Sequence, residues 1–384
     1  MRQYDVVVVG GGPAGSTSAR LCAEQGLSTC LIEEHTGIGY PVQCAGLLSN
    51  AAFKECEVSR RPVVEEVSGA KIRTAVGSEL AFDSGRVRAV VVDRGALDRE
   101  MIIRAAEVGV EVRLKTAYVD RSRSAIVTRG VSGQIEIPFR VLIAADGPRS
   151  RVARSLNLQR SPYYLSGLQA EIPHDMDRRF VELYPDASPD FFGWIIPSER
   201  GRARIGLAGL EDVPGRFRRF LRLQGTPNIL NVVSGTVPLG VMPKTYSSAT
   251  LFVGDAAGFP KPTSGGGVYT GVRSARHAAA VAVEACQRND TSDRVLKDYE
   301  RRWKADFGRE LETGLRFFRL RQHLSPSDIN RLVRALNDPS VREDILTYGD
   351  MDRPGIVIRR ILKNPKIYPV FGILFKSGVR HFIK

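Results

Sequence analysis

Cysteine is scarce in this sequence. The 384 residues include five, Cys22, Cys30, Cys44, Cys56 and Cys286, with no CxxC pair and no zinc-ligand spacing. This pattern argues against a disulfide framework, and it predicts no metal site. We expect reduced thiols, as is usual in a cytosolic protein.

Long hydrophobic runs are missing too. The apolar runs, such as the valines at 6–9, are far shorter than the roughly 20 residues that span a bilayer. Asp5 interrupts the N-terminal stretch, and glycines follow it instead of a cleavage site, so a signal peptide is not predicted. No short repeat or low-complexity tract points to a solenoid or a disordered protein. We therefore predict a cytoplasmic globular protein.

The charge balance is strongly basic, with 56 Lys and Arg against 42 Asp and Glu and a formal net charge of +14. Such a surface suits an anionic partner, either acidic lipid headgroups or a phosphorylated substrate, and a basic surface without any partner is the alternative. No helix-turn-helix, zinc-finger or RNA-binding signature accompanies the charge, so nucleic acid is not a predicted partner.

The N-terminal residues predict a dinucleotide-binding unit of strand, turn, helix and strand. A valine-rich run at 4–9 is typical of a buried parallel strand and leads directly into a glycine turn. Gly10 allows the tight turn, Gly12 lets the backbone approach a pyrophosphate, and Gly15 lets the helix pack on the strand. Glu33 ends the second strand, where a carboxylate bonds ribose hydroxyls, which favours FAD or NAD over NADP.

Later motifs favour FAD over NAD. Asp146 and Asp255 each follow an apolar run that is typical of a strand. A strand-end carboxylate such as Asp255 can accept hydrogen bonds from ribityl or ribose hydroxyls. The glycines at 265–267, followed by Val268, begin a helix whose N-terminus would stabilise the negative charge of a reduced flavin. A nicotinamide enzyme needs no such second apparatus.

These residues resemble the p-hydroxybenzoate hydroxylase group of flavoproteins. Within that group, the chain is most similar to the geranylgeranyl reductases, including the archaeal digeranylgeranylglycerophospholipid reductases. The resemblance covers most of residues 1–290 and rests on both glycine-rich turns and on the segments at 40–46, 93–98, 146–147 and 254–255.

The most specific element is Pro-Asp-Phe-Phe-Gly-Trp-Ile-Ile-Pro at 189–197. The reductases carry Pro-x-x-Tyr-x-Trp-x-Phe-Pro there. This sequence keeps both prolines and Trp194, but has Phe192 in place of the tyrosine and Ile196 in place of the second aromatic residue. A tyrosine hydroxyl is thus absent at position 192. With Phe191 and Ile195, these three side chains are the predicted lining of an isoprenoid slot, and ordinary strand core is the alternative.

The resemblance also implies the flavin contacts. The full set of predicted flavin contacts, which includes the turn glycines, is Gly10, Gly12, Ala14, Gly15, Glu33, Cys44, Ala45, Leu47, Arg94, Ala117, Asp255, Gly266, Gly267 and Val268. Ala117 would act through its backbone near the adenine. Arg94 has a physical argument as well, as a cation beside the pyrophosphate, and an ion pair with Asp93 or Asp98 is the alternative.

The implied reaction is the saturation of C=C bonds in geranylgeranyl chains of membrane ether lipids or their precursors, by hydride transfer from reduced flavin. A proton must reach the second carbon. The candidate catalytic residues are Cys44, which lies in the loop at 40–46 (the Cys44 loop), and Tyr269. The alternative role for Cys44 is that of a small buried hydrophobic residue, and the alternative role for Tyr269 is packing within its loop. No second GxGxxG unit follows the first. Electrons would therefore come from an external donor such as transiently bound NAD(P)H, a reduced deazaflavin or ferredoxin.

The C-terminal stretch at 356–384 mixes apolar and basic residues. Either it lies on an anionic membrane surface, where a lipid substrate would be met, or it packs against the FAD domain with its charges outward. Peripheral contact with the membrane is thus an expectation beside the cytoplasmic location.

The predicted fold is α/β, with a discontinuous domain resembling the Rossmann fold. The expected divisions are an FAD-binding domain at 1–60, 85–155 and 245–290, a β-rich substrate domain at 61–84 and 156–244, and a helical region at 291–384. The helical region is expected to form the C-terminal end of the chain.

Two other functions compete with the reductase. The first is a flavin-dependent aromatic monooxygenase of the same fold, against which the Trp194 motif and the Cys44 loop argue. The second is a flavin protein that binds ligands or transfers electrons without acting on lipids. A menaquinone side-chain reductase is a narrower variant of the main hypothesis.

Overall fold

The valine-rich N-terminal strand lies inside the largest sheet of the molecule. The structure is a computed structural model that describes residues 3–131, 133–225 and 228–368. Its strands are β1 (Tyr4–Val9), β2 (Thr29–Ile32), β3 (Leu47–Ser49), β4 (Val63–Val67), β5 (Gly69–Arg73), β6 (Glu79–Asp83), β7 (Ala89–Val92), β8 (Glu111–Arg113), β9 (Ala117–Arg121), β10 (Ala125–Gly130), β11 (Gly133–Ala144), β12 (Tyr163–Pro173), β13 (Phe180–Tyr184), β14 (Gly193–Pro197), β15 (Arg202–Gly209), β16 (Asn231–Leu239), β17 (Tyr246–Ser247) and β18 (Thr250–Phe252).

Helices cover the sheets and form most of the C-terminal region. They are α1 (Pro13–Glu24), α2 (Asn50–Glu55), α3 (Arg94–Glu107), α4 (Arg151–Ser155), α5 (Val213–Leu223), α6 (Val268–Gln287), α7 (Asp293–Trp303), α8 (Arg309–Arg321), α9 (Pro326–Leu336), α10 (Pro339–Tyr348) and α11 (Gly355–Lys363). A π-helical turn at Lys304–Gly308 joins α7 to α8.

The first sheet is built on parallel strands. β1 pairs in parallel with β2 and β11, and β11 pairs in parallel with β18. Val6, Val7 and Val8 are fully buried, as expected of a parallel strand covered on both faces. Since parallel strands end at one edge, the sheet brings the glycine turn after β1, Asp146 after β11 and Asp255 after β18 to the same edge.

The second sheet, in the order β16-β12-β15-β14-β13-β5-β6, has two different faces. One face packs against α5, where Ile195 and Ile205 contact Phe217 in a buried cluster. Trp194 and Ile196 flank Ile195 along β14, so they point to the opposite face. That face covers an apolar cavity.

A small third sheet, in the order β3-β7-β4, completes the strand pairing. Here β4 pairs with β7, whereas its neighbours in sequence, β5 and β6, join the second sheet. The second sheet thus takes strands from 69–83 and 163–239. The domain boundaries derived from the sequence stay a prediction.

Two C-terminal helices, α9 and α10, pack against the second sheet. Val333 of α9 and Ile345 of α10 contact Leu80 and Phe82 of β6 in one apolar cluster. Among the described residues, no helix is long and apolar enough to cross a bilayer. Of the stretch predicted to meet a membrane, residues 369–384 lie outside the described residues.

Candidate active site

Two close backbone approaches shape the glycine turn after β1. Gly10 has a φ of +104°, and a Cβ there would lie 2.3 Å from the carbonyl oxygen of Ala145. A Cβ at Gly15 would lie 1.9 Å from the carbonyl oxygen of Gly10, so only glycine lets α1 meet the turn. For Gly12, nothing in the described part of the chain lies within 4 Å of the Cβ position. This glycine therefore faces open space, where a ligand can approach the backbone.

The Glu33 side chain is hydrogen-bonded to the backbone of the glycine turn. Its carboxylate accepts a hydrogen bond from the Gly11 N–H at 2.8 Å and another from the His35 N–H at 2.9 Å. The His35 ring Nδ1 also lies 2.6 Å from Glu33 Oε1. These bonds fix the carboxylate at the end of β2, on the wall of a cavity, where the sequence predicts a ribose contact.

The strand ends enclose a cavity of about 1150 Å³ (the cofactor cavity). It is at least as large as typical small-molecule sites, which are roughly 300–1,000 Å³. Its wall includes the predicted flavin contacts Gly10, Gly12, Ala14, Glu33, Cys44, Leu47, Arg94, Asp255, Gly266, Gly267 and Val268. The structure thus brings together residues that lie more than 250 positions apart in the sequence.

Three predicted flavin contacts lie elsewhere. Gly15 packs beneath the turn, against the Gly10 carbonyl. Ala45 lines a neighbouring cavity. Ala117 begins β9 and lies between Thr116 and Tyr118, which do line the cofactor cavity. The contacts proposed for these three residues stay predictions.

Arg94 and Asp98 form an ion pair in the wall of the cofactor cavity. Arg94 Nη2 lies 3.0 Å from each carboxylate oxygen of Asp98, and the two side chains are 13% and 10% exposed. Burial by itself lowers the pKa of Arg94, but Asp98 and Cys44 hold it above its ordinary value. Burial raises the pKa of Asp98. Arg94 therefore stays charged beside the cavity, so its ion pair is compatible with the predicted pyrophosphate contact.

Two strand-end carboxyl groups lie on the same wall. Burial raises the pKa of Asp255 to about 6, although the charge of Arg94 opposes this shift. Burial also raises the pKa of Asp146, whose Oδ1 is closed off from the cavity and has no hydrogen-bond partner among the described residues. Ligand hydroxyl groups in the cavity would hydrogen-bond to Asp255. The ribityl and ribose groups of FAD carry these hydroxyls, so the wall fits this cofactor.

A second, mostly apolar cavity of about 980 Å³ (the apolar cavity) adjoins the first. Cys44, Leu48, Gly265 and Val268 belong to the walls of both. Four of the five predicted substrate residues, Phe191, Phe192, Trp194 and Ile196, line the apolar cavity. The prediction is wrong for Ile195, which alternates to the other face of β14 and packs under α5. The rings of Phe191 and Phe192 stack with centroids 4.4 Å apart.

The second sheet holds the Cys44 loop between the two cavities. The Gln169 side chain donates to the Cys44 carbonyl at 3.5 Å and accepts from the Trp194 indole N–H at 2.9 Å. Arg204 donates to the carbonyl of Ala45 at 2.8 Å. The sulfur of Cys44 accepts a hydrogen bond from the Gly46 N–H at 3.4 Å. Cys44 is thus fixed at the junction of the cavities.

Polar groups close the apolar cavity beside the glycines at 265–267. Lys261 donates to the Met351 carbonyl at 2.8 Å and pairs with Asp352, which also accepts the Ser49 hydroxyl. Tyr269, the second candidate catalytic residue, is buried on the same wall, which Met351 and Asp352 also line. The loop between α10 and α11 therefore contributes to the site.

Comparison with known proteins agrees with this geometry. A family profile described as an FAD binding domain matches residues 3–200. Digeranylgeranylglycerophospholipid reductase 2 of Methanothermobacter thermautotrophicus is 33% identical over 87% of this chain and 92% of its own length. The chain belongs to the digeranylgeranylglycerophospholipid reductase family. Digeranylgeranylglycerophospholipid reductase 2 of Methanopyrus kandleri is also 33% identical, over 90% of this chain and 92% of its own length.

A solved structure shares the fold of this reductase family member. It is a geranylgeranyl bacteriochlorophyll reductase-like protein of Thermoplasma acidophilum, with a TM-score of 0.89 and 26% identity over 98% of this chain and all of that one. The predicted α/β fold and FAD as the cofactor are confirmed. The protein is an FAD-dependent oxidoreductase, and the family assignment supports a reductase over a monooxygenase.

Several site residues could not be found from the sequence. Gln169 and Arg204 are single polar residues within strands, and no motif marks them. Lys261 stands in the segment that resembles the family, but its partner Asp352 follows 91 residues later. These residues act through tertiary contacts, which a pattern along the chain does not record.

Proposed function

We propose that this protein saturates C=C bonds in geranylgeranyl chains of membrane ether lipids or their precursors. The names of the family relatives and the apolar lining support this substrate. One observation carries the proposal: the apolar and cofactor cavities share the Cys44 loop and the glycine turn at 265–267. An alkene in the apolar cavity would therefore border the cavity whose residues would hold the flavin.

The wall of the apolar cavity has two tasks in this reaction. It binds the chain, since each buried CH₂ group contributes about 0.8 kcal/mol. It also keeps water from the reacting carbons, with Phe191, Phe192 and Trp194 stacked or packed edge to face around the entry to the flavin side. When bound, reduced FAD supplies the hydride for one carbon of the double bond.

The proton for the other carbon comes, in this proposal, from Cys44 or Tyr269. Cys44 lies where the two cavities meet. Tyr269 lies on the apolar wall, where its phenol O–H can act as a donor. The two donors can be separated by substitution.

We also propose an external electron donor, such as transiently bound NAD(P)H, a reduced deazaflavin or ferredoxin. The sequence contains one GxGxxG unit, and this unit faces the cofactor cavity. No second unit of this kind is present to bind a nicotinamide cofactor, which supports an external donor. The donor can be identified by supplying each reductant to the oxidised protein under anaerobic conditions and following the loss of flavin absorbance.

Contact with a membrane surface is proposed for α11. Val357 of this helix lines the apolar cavity, while Ile356 and Leu362 are 47% and 37% exposed beside basic residues. Ile356→Ser with Leu362→Ser should weaken flotation with anionic liposomes. Val76→Ser, at a valine 67% exposed elsewhere, is the matched control. Equal flotation of all variants would exclude this surface.

The reaction itself is tested with the purified, FAD-loaded protein. After anaerobic reduction, incubation with a geranylgeranyl lipid should give a product with two more hydrogens for each saturated bond, measured by mass spectrometry. Protein left oxidised is the control. An oxygen-dependent, hydroxylated aromatic product would point instead to the monooxygenase, and an unchanged lipid to a flavin protein of another function.

A further inference from the structure

Arg321, the last residue of α8, is a cation on the wall of the apolar cavity. Its Nη2 donates to the backbone carbonyls of Pro185, Ser188 and Phe191, with a distance of 3.0 Å to Ser188. Its Nε is buried and has no hydrogen-bond partner among the described residues, and no partner there is found for Nη1. Backbone carbonyls thus hold one nitrogen of the guanidinium and leave the other two unsatisfied.

Among the described residues, no carboxylate is in direct contact with the charge of Arg321. Asp186 and Asp190 influence it, but Asp186 accepts the Ala75 N–H at 2.7 Å, and Asp190 pairs with Arg216 at 3.0 Å. In the described part of the chain, Arg321 forms no ion pair. Burial lowers the pKa of Arg321 to about 10, so the group still carries its charge at neutral pH. An unpaired cation in an apolar wall is costly unless an anion binds it.

The surroundings of Arg321 suit a molecule that is part anion and part hydrocarbon. Leu183 and Phe192 line the same cavity. Phe191, whose carbonyl accepts from Arg321, has its ring 3.5 Å from the Cβ position of Gly265 on the cofactor wall. An anion at Arg321 would therefore sit at one end of an apolar chain that runs past the flavin side.

We propose that Arg321 is the anion subsite of the apolar cavity and selects isoprenoid chains that end in a phosphate group. This inference rests on the proposed function, because it names the substrate class of the same cavity. Phosphate oxygens accept charge-assisted hydrogen bonds from the N–H groups of Nη1, and the guanidinium keeps its charge where it is partly buried. A neutral isoprenoid alcohol would leave the cation unpaired.

The test measures binding to the FAD-loaded, oxidised protein, without turnover. The ligands are geranylgeranyl monophosphate, geranylgeraniol and inorganic phosphate, and titration calorimetry gives each affinity. The wild type should bind the phosphate ester at least tenfold more tightly than the alcohol. Inorganic phosphate alone should bind weakly and compete with the ester, as expected of a site for the phosphate headgroup. Phosphate that binds as tightly as the ester would indicate a site for free phosphate.

Substitutions of Arg321 then identify the residue responsible. Arg321→Met should abolish the preference for the phosphate ester and leave the affinity for geranylgeraniol within about twofold. Arg222→Met, at an exposed arginine of α5, is the control and should change neither affinity. If Arg321→Met does not retain FAD, Arg321→Lys should reduce the preference in part, since lysine keeps the charge but loses the planar pair of donors.

Two results would overturn the inference. In the first, the wild type binds the ester no more tightly than the alcohol. In the second, Arg321→Met, or Arg321→Lys where it is used, lowers the affinity for both ligands equally, as expected of a residue that only anchors the carbonyls at 185–191. The outcome is independent of the reductase reaction. Selective binding of the ester without saturation of its bonds would reject the proposed function but keep the anion subsite.

Discussion

The indole N–H of Trp194 donates to Gln169 Oε1 at 2.9 Å, and the amide of Gln169 continues to the carbonyl oxygen of Cys44 at 3.5 Å. This chain of hydrogen bonds joins the aromatic segment of the second sheet to the Cys44 loop. Gln169 is 8% exposed, so its amide has little access to water. The side chain therefore sets the spacing between the apolar wall and the candidate proton donor.

Substitution of Gln169 tests this link. Gln169→Leu leaves the Trp194 N–H without its acceptor in a part-buried wall, and we expect a loss of about 1 kcal/mol in the free energy of unfolding. Urea denaturation of the FAD-loaded protein measures it. Trp194→Phe in the same chain removes the stranded donor, so the double variant should lose less than the sum of the two single losses. Additive losses would contradict the link.

The proton donor is tested through Cys44. Cys44→Ala should retain FAD and lower the rate of bond saturation by about 10²-fold, the lower end of what general acid catalysis contributes. The flavin spectrum and single-turnover kinetics measure the two quantities. Cys286→Ala is the matched control, because this thiol is buried outside both cavities and burial raises its pKa to about 11. An unchanged rate for Cys44→Ala would leave Tyr269 as the candidate.

The glycine turn predicts opposite results for two similar substitutions. Gly12→Ala adds a methyl group where no atom of the described chain lies within 4 Å, at a φ of −72° that alanine adopts freely. The FAD-free protein should keep its stability and bind FAD more weakly. Gly15→Ala places a Cβ 1.9 Å from the Gly10 carbonyl, so it should destabilise the fold itself. Thermal unfolding with and without FAD distinguishes the two, and equal loss of stability would refute the assignment.

The pH dependence of stability reports on Asp255. Burial raises its pKa from an ordinary 3.8 to about 6. Between these values the folded protein holds a proton that the unfolded chain has lost, so this residue makes folding less favourable as the pH rises from about 4 to about 6. Asp255→Asn does not titrate. Its stability relative to the wild type should therefore increase across that window.

The expected gain for Asp255→Asn is about 1–2 kcal/mol, less than the full linkage value because the carboxyl borders an open cavity. Urea denaturation of the FAD-free proteins from pH 4 to pH 8 measures it. Asp146 is present in both proteins, so its own raised pKa cancels in the difference. A difference that does not vary with pH would contradict the buried titration.

The sequence predicts best where a residue's role depends on its neighbours in the chain. Gly10, Gly15 and Glu33 occupy the positions expected of them, because one strand, one turn and one helix define that unit. The carboxyl edge of a parallel sheet then explains why Asp255 joins them. Local pattern and sheet geometry are sufficient for this part of the site.

The remaining part depends on contacts between distant segments. Ser49 and Asp352 meet across 303 residues, and Arg321 reaches carbonyls 130 or more positions before it. Nothing in the local composition of α8 or of the loop before α11 marks these residues as part of a cavity wall. The sequence indicated helices there, but not the surfaces that those helices would cover.

The alternation of side chains along β14 separates two kinds of mutational effect. Ile195 belongs to the core under α5, whereas Trp194 and Ile196 border the apolar cavity. A change at either flanking position can therefore alter the volume available to a substrate while the core under α5 stays intact, although Ile196 also packs with Val91 and Val181 in a second buried cluster. Evolution, or a laboratory selection for shorter or longer isoprenoids, can act on every second residue of this strand without changing the residues that pack against α5.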